Sequence, residues 1–240
     1  MTRSLKLIVS CEHASNRIPV EYRDLFAGSQ DVLDSHQGWD PGVIELVAAF
    51  EKVFQTKVEL GQWSRLLVEL NRSLGHPKLF SQFTRELSKV RRDQIIGTYY
   101  LPYRQSLNQQ AQAIEEESGN CLHLSLHTFT PNLKGDVRNA DIGLLYDPKN
   151  ESEKAFAKVW RLKLQEQLPE WVIRMNYPYR GNADGFTTWL RRRHAGYAGL
   201  ELEVNQKYFY RDTTSWRSFS REIAAATKLA VEAFAMTEIH

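Results

Sequence analysis

Six short, nearly continuous apolar runs punctuate the chain: Leu5 to Ser10, Arg65 to Leu70, Cys121 to His127, Ile142 to Tyr146, Val172 to Met175 and Gly199 to Val204. Each has strand length, and continuous rather than alternating hydrophobicity marks strands buried on both faces, as in a largely parallel sheet. Between them lie stretches with helical spacing. Pro41 to Phe54 carries Ile44, Val47, Phe50 and Phe54, with Asp40 placed as N-cap and Pro41 at the first helical position. Tyr99 to Glu117 and Glu151 to Leu168 read as further helices, and Trp216 to Ala235 is Ala-rich with Phe219, Ile223, Ala226, Ala230 and Phe234 on one face. Strands alternating with helices predict an α/β fold with helices on both faces of a mixed or parallel sheet. No flexible linker, low-complexity block or repeat interrupts the chain, so residues 1–240 are expected to form a single domain.

In open α/β sheets, function collects beyond the carboxyl ends of the strands. The first strand runs into Glu12-His13-Ala14-Ser15, and Asp34, His36 and Asp40 cluster before the first long helix. Later runs deliver Glu69-Leu70-Asn71-Arg72, Leu124-Ser125-Leu126-His127 and Leu202-Glu203-Val204-Asn205. Two histidines, an acidic ligand and a separate glutamate make up the chemistry of a zinc hydrolase, in which the metal lowers the pKa of a water and an unligated carboxylate takes its proton. Each residue also has a structural reading. His13 fits a loop histidine bonded to backbone, Asp40 a helix N-cap, and His127 the edge of a core strand. Glu203 stands out because it falls in a run that should be buried, and a buried glutamate needs a partner or a role. His123 shares a strand face with His127 but lies four residues, ~13 Å, away, so both cannot ligate one ion.

Composition narrows the classes. The 31 Lys+Arg against 29 Asp+Glu give a net charge of +2, too balanced for a dedicated nucleic-acid binder even with the Arg191-Arg192-Arg193 run, which reads as a solvated helix face. Cys11 and Cys121 fall inside apolar runs and suit a reduced setting rather than a disulfide scaffold. No apolar stretch approaches the ~18 residues of a membrane span. The Met1 to Lys6 segment runs straight into a strand pattern without the apolar region of a signal peptide, so a cytoplasmic protein is expected.

In order along the chain stand Glu12-His13-Ala14-Ser15, Trp39-Asp40, Ser64-Arg65-Leu66-Leu67-Val68-Glu69-Leu70-Asn71-Arg72, Leu124-Ser125-Leu126-His127, Pro178-Tyr179-Arg180-Gly181 and Leu202-Glu203-Val204-Asn205. This series resembles the N-formylglutamate amidohydrolase family. Two positions depart from the family pattern: Glu69 stands where Asp is commoner, and Cys11-Glu12-His13-Ala14-Ser15 replaces Pro-His-x-Gly. The family resembles the wider group of zinc carboxypeptidases, succinylglutamate desuccinylases and aspartoacylases, which implies a three-layer α/β/α sandwich around a mixed, largely parallel sheet. The resemblance further implies His13, Asp40 and His127 as ligands of one Zn²⁺, with His36 or Asp34 as alternatives to Asp40, and Glu203 as general base. Asn71 and Arg72 would grip a substrate carboxylate, and Arg65 or Arg180 would meet the oxyanion or a second carboxylate. The implied reaction is hydrolysis of a small N-acyl amino acid, N-formyl-L-glutamate to formate and L-glutamate, with no nucleic-acid or membrane partner. The alternatives are a zinc amidase or carboxypeptidase-type enzyme for another N-acyl amino acid or peptide, and a non-catalytic binding protein.

Overall fold

The computed structural model describes residues 5–237. Residues 1–4, on which the reading of the chain's start rests, and 238–240 lie outside the described residues. Strands β1 (Lys6–Cys11), β2 (Glu59–Leu60), β3 (Cys121–Phe129), β6 (Ile142–Leu145), β7 (Ile173–Met175) and β8 (Tyr197–Asn205) form one six-stranded sheet in the order β2-β1-β3-β8-β6-β7. Every neighbouring pair is parallel except β6 with β8, so the sheet is mixed and mostly parallel, as the apolar runs predict. Strands β4 (Asn132–Leu133) and β5 (Asp136–Val137) form a separate ribbon.

Helices cover both faces. On one side α2 (Val43–Phe54), α5 (Glu151–Gln167) and α8 (Thr213–Thr237) pack together. The predicted α8 stripe of Phe219, Ile223, Ala226, Ala230 and Phe234 is buried there with Trp160, Phe156 and Trp216. On the other side α3 (Lys89–Ile95), α4 (Leu101–Ser118) and α6 (Phe186–Arg191) enclose a second core around Leu67, Ile95, Tyr100, Leu107 and Phe186. Two cores separated by one sheet make the three-layer α/β/α sandwich. Short helices α1 (Gln30–Asp34) and α7 (Lys207–Arg211) and a 3-10 segment over Val20–Phe26 complete the chain. No described helix is long and apolar enough to cross a membrane.

Four sequence-based expectations are corrected. Arg65 to Leu70 forms no strand: residues 64–73 run through successive turns, with Leu67 N bonding Ser64 O and Arg72 N bonding Glu69 O. Side chains take the place of a ladder, since Ser81 and Thr84 hydroxyls donate to the carbonyls of Leu66 and Leu67. The run is apolar because it is buried, and burial alone does not specify strand pairing. Helix α2 begins at Val43 behind Gly42, whose φ of +83° and close approach to Phe209 demand glycine; Asp40 is left outside the helix. Its buried stripe is Val43, Leu46, Val47 and Phe50, while Ile44 faces outward. In the first turn of α4, Pro102 has no N–H for the carbonyl of Thr98, and Ile96–Tyr100 widens into a π turn that joins α3 to α4.

The fourth correction is Arg191, which turns inward instead of into solvent. Its Nε and Nη2 donate to the two oxygens of the fully buried Glu153 at 2.7 and 3.0 Å, and Glu153 also accepts from the backbone N–H of Asp147 and Gly199. Breaking a buried ion pair strands the remaining charge. Arg191→Met is therefore expected to lower stability by about 3 kcal/mol, read as a lower urea midpoint; an unchanged midpoint would show that the pair anchors nothing.

Candidate metal centre

Parallel register brings the polar strand ends together. β1 delivers Glu12 and His13 from its carboxyl end, β3 delivers His127, and β8 pairs Glu203 directly opposite His127. Asp40 arrives from the loop before α2, fixed by its own N–H bonding the carbonyl of His13. Gly61 permits this packing, since a Cβ there would lie 2.0 Å from the carbonyl oxygen of Glu12. All of Glu12, His13, Asp40, Glu69, His127 and Glu203 are at most 8% exposed.

The inner atoms of this cluster are two imidazole nitrogens and one carboxylate oxygen. His13 Nδ1 and His127 Nδ1 are 3.1 Å apart, and Asp40 Oδ2 is 2.9 Å from His127 Nδ1 and 3.4 Å from His13 Nδ1. A tetrahedral ion with bonds of ~2.0–2.1 Å separates its ligands by ~3.4 Å, so the three atoms stand close to the edge lengths of one face of such a site. The donor set of two nitrogens and one oxygen suits zinc. Asp34 instead accepts from Asn16 and Gln30, and His36 stays outside the cluster. His123 is occupied elsewhere, bonding Ser10 and Tyr197; burial pushes its pKa down to about 4, keeping it neutral.

A second ring of carboxylates fixes the imidazoles. The His127 Nε2–H donates to Glu12 Oε2 at 3.0 Å, and the His13 Nε2–H donates to Glu69 Oε1. Both Nδ1 atoms are thereby left facing Asp40, the arrangement in which an outer carboxylate sets the tautomer of a metal-binding histidine. Glu12 is saturated by Ser10, Tyr103 and Ser125 hydroxyls besides His127. Glu69 accepts from Asn71 N and from Arg65, whose guanidinium reaches on to Asp40 Oδ1 at 3.3 Å. Burial opposes ionisation of Glu12, Asp40 and Glu69. Their hydrogen bonds and the facing cations outweigh it and hold all three below the usual carboxylate range. Burial likewise opposes charge on His127, yet its bonds to Asp40 and Glu12 raise its pKa well above normal. A metal entering the site must displace protons there, so its affinity rises with pH.

Glu203 differs from its neighbours. Its Oε2 is buried with no hydrogen-bond partner among the described residues, and burial, with Asp40 and Glu201 nearby, pushes its pKa up to about 8. An orphaned carboxylate oxygen beside convergent nitrogen and oxygen donors fits a centre that takes an ion and a water. These groups open into a cavity of about 350 Å³ lined also by Arg65, Asn71, Arg72, Lys78, Tyr179 and Arg180. Arg72 Nη1 donates to the carbonyls of Asn71 and Asp184, and the Asp184 carboxylate accepts from Ser73 N. Sequence reasoning does not assign roles to Glu12 and Lys78. Glu12 is signalled only by its place beside His13, and Lys78 by nothing short of the fold.

The N-formylglutamate amidohydrolase family model matches residues 5–210. No curated protein sequence matches the chain. Among solved structures, a gene product from Agrobacterium tumefaciens is similar with a TM-score of 0.81 and 22% identity, covering 95% of this chain and 91% of that one. The N-formylglutamate amidohydrolase from Ralstonia eutropha is similar with a TM-score of 0.72 and 18% identity, covering 98% and 96%. At these identities the two structures speak for the fold.

Two outcomes follow from the geometry. Glu12→Gln is expected to weaken zinc binding by about 10–100-fold in competition with a chromogenic chelator; undiminished affinity would mean that Glu12 does not orient His127. A carboxyl raised from 4.5 to about 8 on folding stabilises fully below its unfolded pKa, and that contribution is lost as the pH rises toward 8. Metal-stripped Glu203→Gln, neutral throughout, should therefore melt with the wild type at pH 4 and above it at pH 8, by a difference on the order of a few kcal/mol. Coincident melting at both pH values would contradict the buried, uncompensated carboxyl.

Proposed function

Since the chain belongs to the N-formylglutamate amidohydrolase family, we propose that it is a zinc-dependent amidohydrolase that converts N-formyl-L-glutamate to formate and L-glutamate. The observation that carries the reading is the convergence of His13 Nδ1, His127 Nδ1 and Asp40 Oδ2 beside the unpartnered Glu203 Oε2. In this reading His13, Asp40 and His127 hold the metal. Zinc, when bound, supplies a Lewis acid for the acyl oxygen and lowers the pKa of a water to ~7.

Glu203 accepts the proton of the attacking water on Oε2 and delivers it to the leaving nitrogen, so one carboxylate serves as base and then as acid. Its burial keeps the proton affinity near neutrality, where both transfers are feasible. Asn71 and Arg72 receive the α-carboxylate, a planar guanidinium and an amide being suited to two-point recognition. Arg180 and Lys78, both exposed on the cavity rim, meet the side-chain carboxylate of the glutamyl half. Arg65, held by Asp40 and Glu69, stands over the acyl oxygen as a fixed positive charge.

Zinc-loaded protein should release formate and free glutamate from N-formyl-L-glutamate, and a chelated aliquot should not. Glu203→Gln should keep zinc and lose turnover by ~10²–10⁴-fold, whereas His127→Ala should lose the metal. No release by protein holding stoichiometric zinc would remove formylglutamate as substrate, and a His127→Ala protein with its full metal content would remove the ligand set.

A further inference from the structure

Beneath the Asn71–Arg72 segment lies a buried cation that the reaction above does not use. Arg104, on α4, is 2% exposed. Its Nη1 donates to the carbonyl of Leu70 at 2.8 Å and to that of Arg72 at 3.4 Å. Tyr100, one turn earlier on the same helical face, donates its hydroxyl to the carbonyl of Arg72 at 2.7 Å. The guanidinium is enclosed by the rings of Tyr100, Phe186 and Trp189, with centroids 4.9, 4.3 and 4.8 Å from its carbon. Among the described residues no carboxylate forms an ion pair with it, and its buried Nη2 has no hydrogen-bond partner. Carbonyl dipoles and ring faces are thus the compensation for a buried positive charge that would otherwise be strongly disfavoured. Burial lowers its pKa, yet a guanidinium starts so high that it stays charged.

The opposite side of the segment is stitched to residues 184–186. Asp184 accepts from Arg72 Nη1 through its carbonyl and from Ser73 N through its carboxylate, and Phe186 N donates to Asn71 Oδ1 at 2.6 Å. Phe186 is also the ring nearest the Arg104 guanidinium. Arg104 therefore touches both layers that grip Asn71 and Arg72: the backbone from below and, through Phe186, the loop that holds the Asn71 amide. With Asn71 Oδ1 taken by Phe186 N, the amide nitrogen is the end left to donate into the cavity.

We infer that Arg104 is the positioning residue of the carboxylate subsite, fixing the Leu70 to Ser73 backbone so that the Asn71 amide and the Arg72 guanidinium present their donors to a substrate carboxylate. The inference rests on the proposed role of Asn71 and Arg72.

The test compares wild type, Arg104→Lys, which keeps the charge, and Arg104→Met, which keeps only the stem. Zinc content, kinetics on N-formyl-L-glutamate and on its α-carboxamide, and hydrogen exchange at the Ser73 and Phe186 amides are measured on each. For the carboxylate substrate, Arg104→Met should raise KM about tenfold with kcat within about threefold, and Arg104→Lys should fall between. The KM for the carboxamide should stay at its wild-type value, zinc should remain stoichiometric, and the two amides should exchange faster than in wild type. Equal KM changes for both substrates, or an unchanged KM for the carboxylate in folded, zinc-replete variants, would overturn the inference. If the wild type hydrolyses no N-acyl amino acid, the functional reading fails, and exchange decides the clamp separately. Faster exchange confined to Ser73 and Phe186 then supports it, and unchanged protection overturns it.

Discussion

Compensating ionisable groups that the sheet has removed from water is the constraint on which the surrounding structure depends. Glu12, Asp40, Glu69 and Glu203 and two imidazoles are gathered at the carboxyl ends of parallel strands, all of them buried. An isolated buried carboxylate would protonate or unfold its surroundings. Three of the four avoid this with hydrogen bonds: Glu12 with three hydroxyls and an imidazole, Asp40 with Thr128 N and Arg65, Glu69 with Asn71 N, Arg65 and His13. Meeting these demands shapes the local chain. The 64–73 segment runs in turns so that Arg65 and Glu69 face the cluster. The loop before α2 places Asp40 against the histidines and leaves the helix to begin at Val43, behind Gly42.

Glu203 is the exception. The strand register sets it opposite His127 while one of its oxygens has no hydrogen-bond partner among the described residues. A group that is costly to ionise and lies beside a set of metal-suited donors is the combination expected of a proton carrier in a hydrolytic site. The same division of labour separates the two kinds of arginine near the cavity. Arg65 is tied to carboxylates, whereas Arg72 is held by backbone carbonyls and Arg104 by carbonyls and rings.

Much of this was legible in the sequence, and the losses have physical causes. Continuous apolar runs identify β1, β3, β6, β7 and β8 because strands covered on both faces must be apolar throughout, and the Ala-rich spacing of α8 identifies its buried stripe. The same signal misreads residues 65–70, since hydrophobicity reports burial and not the pairing partner. Asp40 carries two readings, and the choice between N-cap and cluster member depends on contacts 87 and 88 residues away, with His127 and Thr128. Arg191 reads as surface in a triple-arginine run because its partner Glu153 lies 38 residues earlier. Glu12 and Arg104 escape notice for the same reason: their meaning is fixed by residues that only the fold brings near.

The central claim is that His13 Nδ1, His127 Nδ1 and Asp40 form the inner shell of a zinc site. X-ray absorption at the zinc edge of protein loaded with one equivalent of the metal tests it most directly. The account predicts a shell of nitrogen and oxygen scatterers at ~2.0–2.1 Å with the outer-shell pattern of two imidazoles, and loss of one imidazole in His127→Ala. A sulfur shell at ~2.3 Å, which would bring Cys11 into the site, or a spectrum with no imidazole contribution would contradict it.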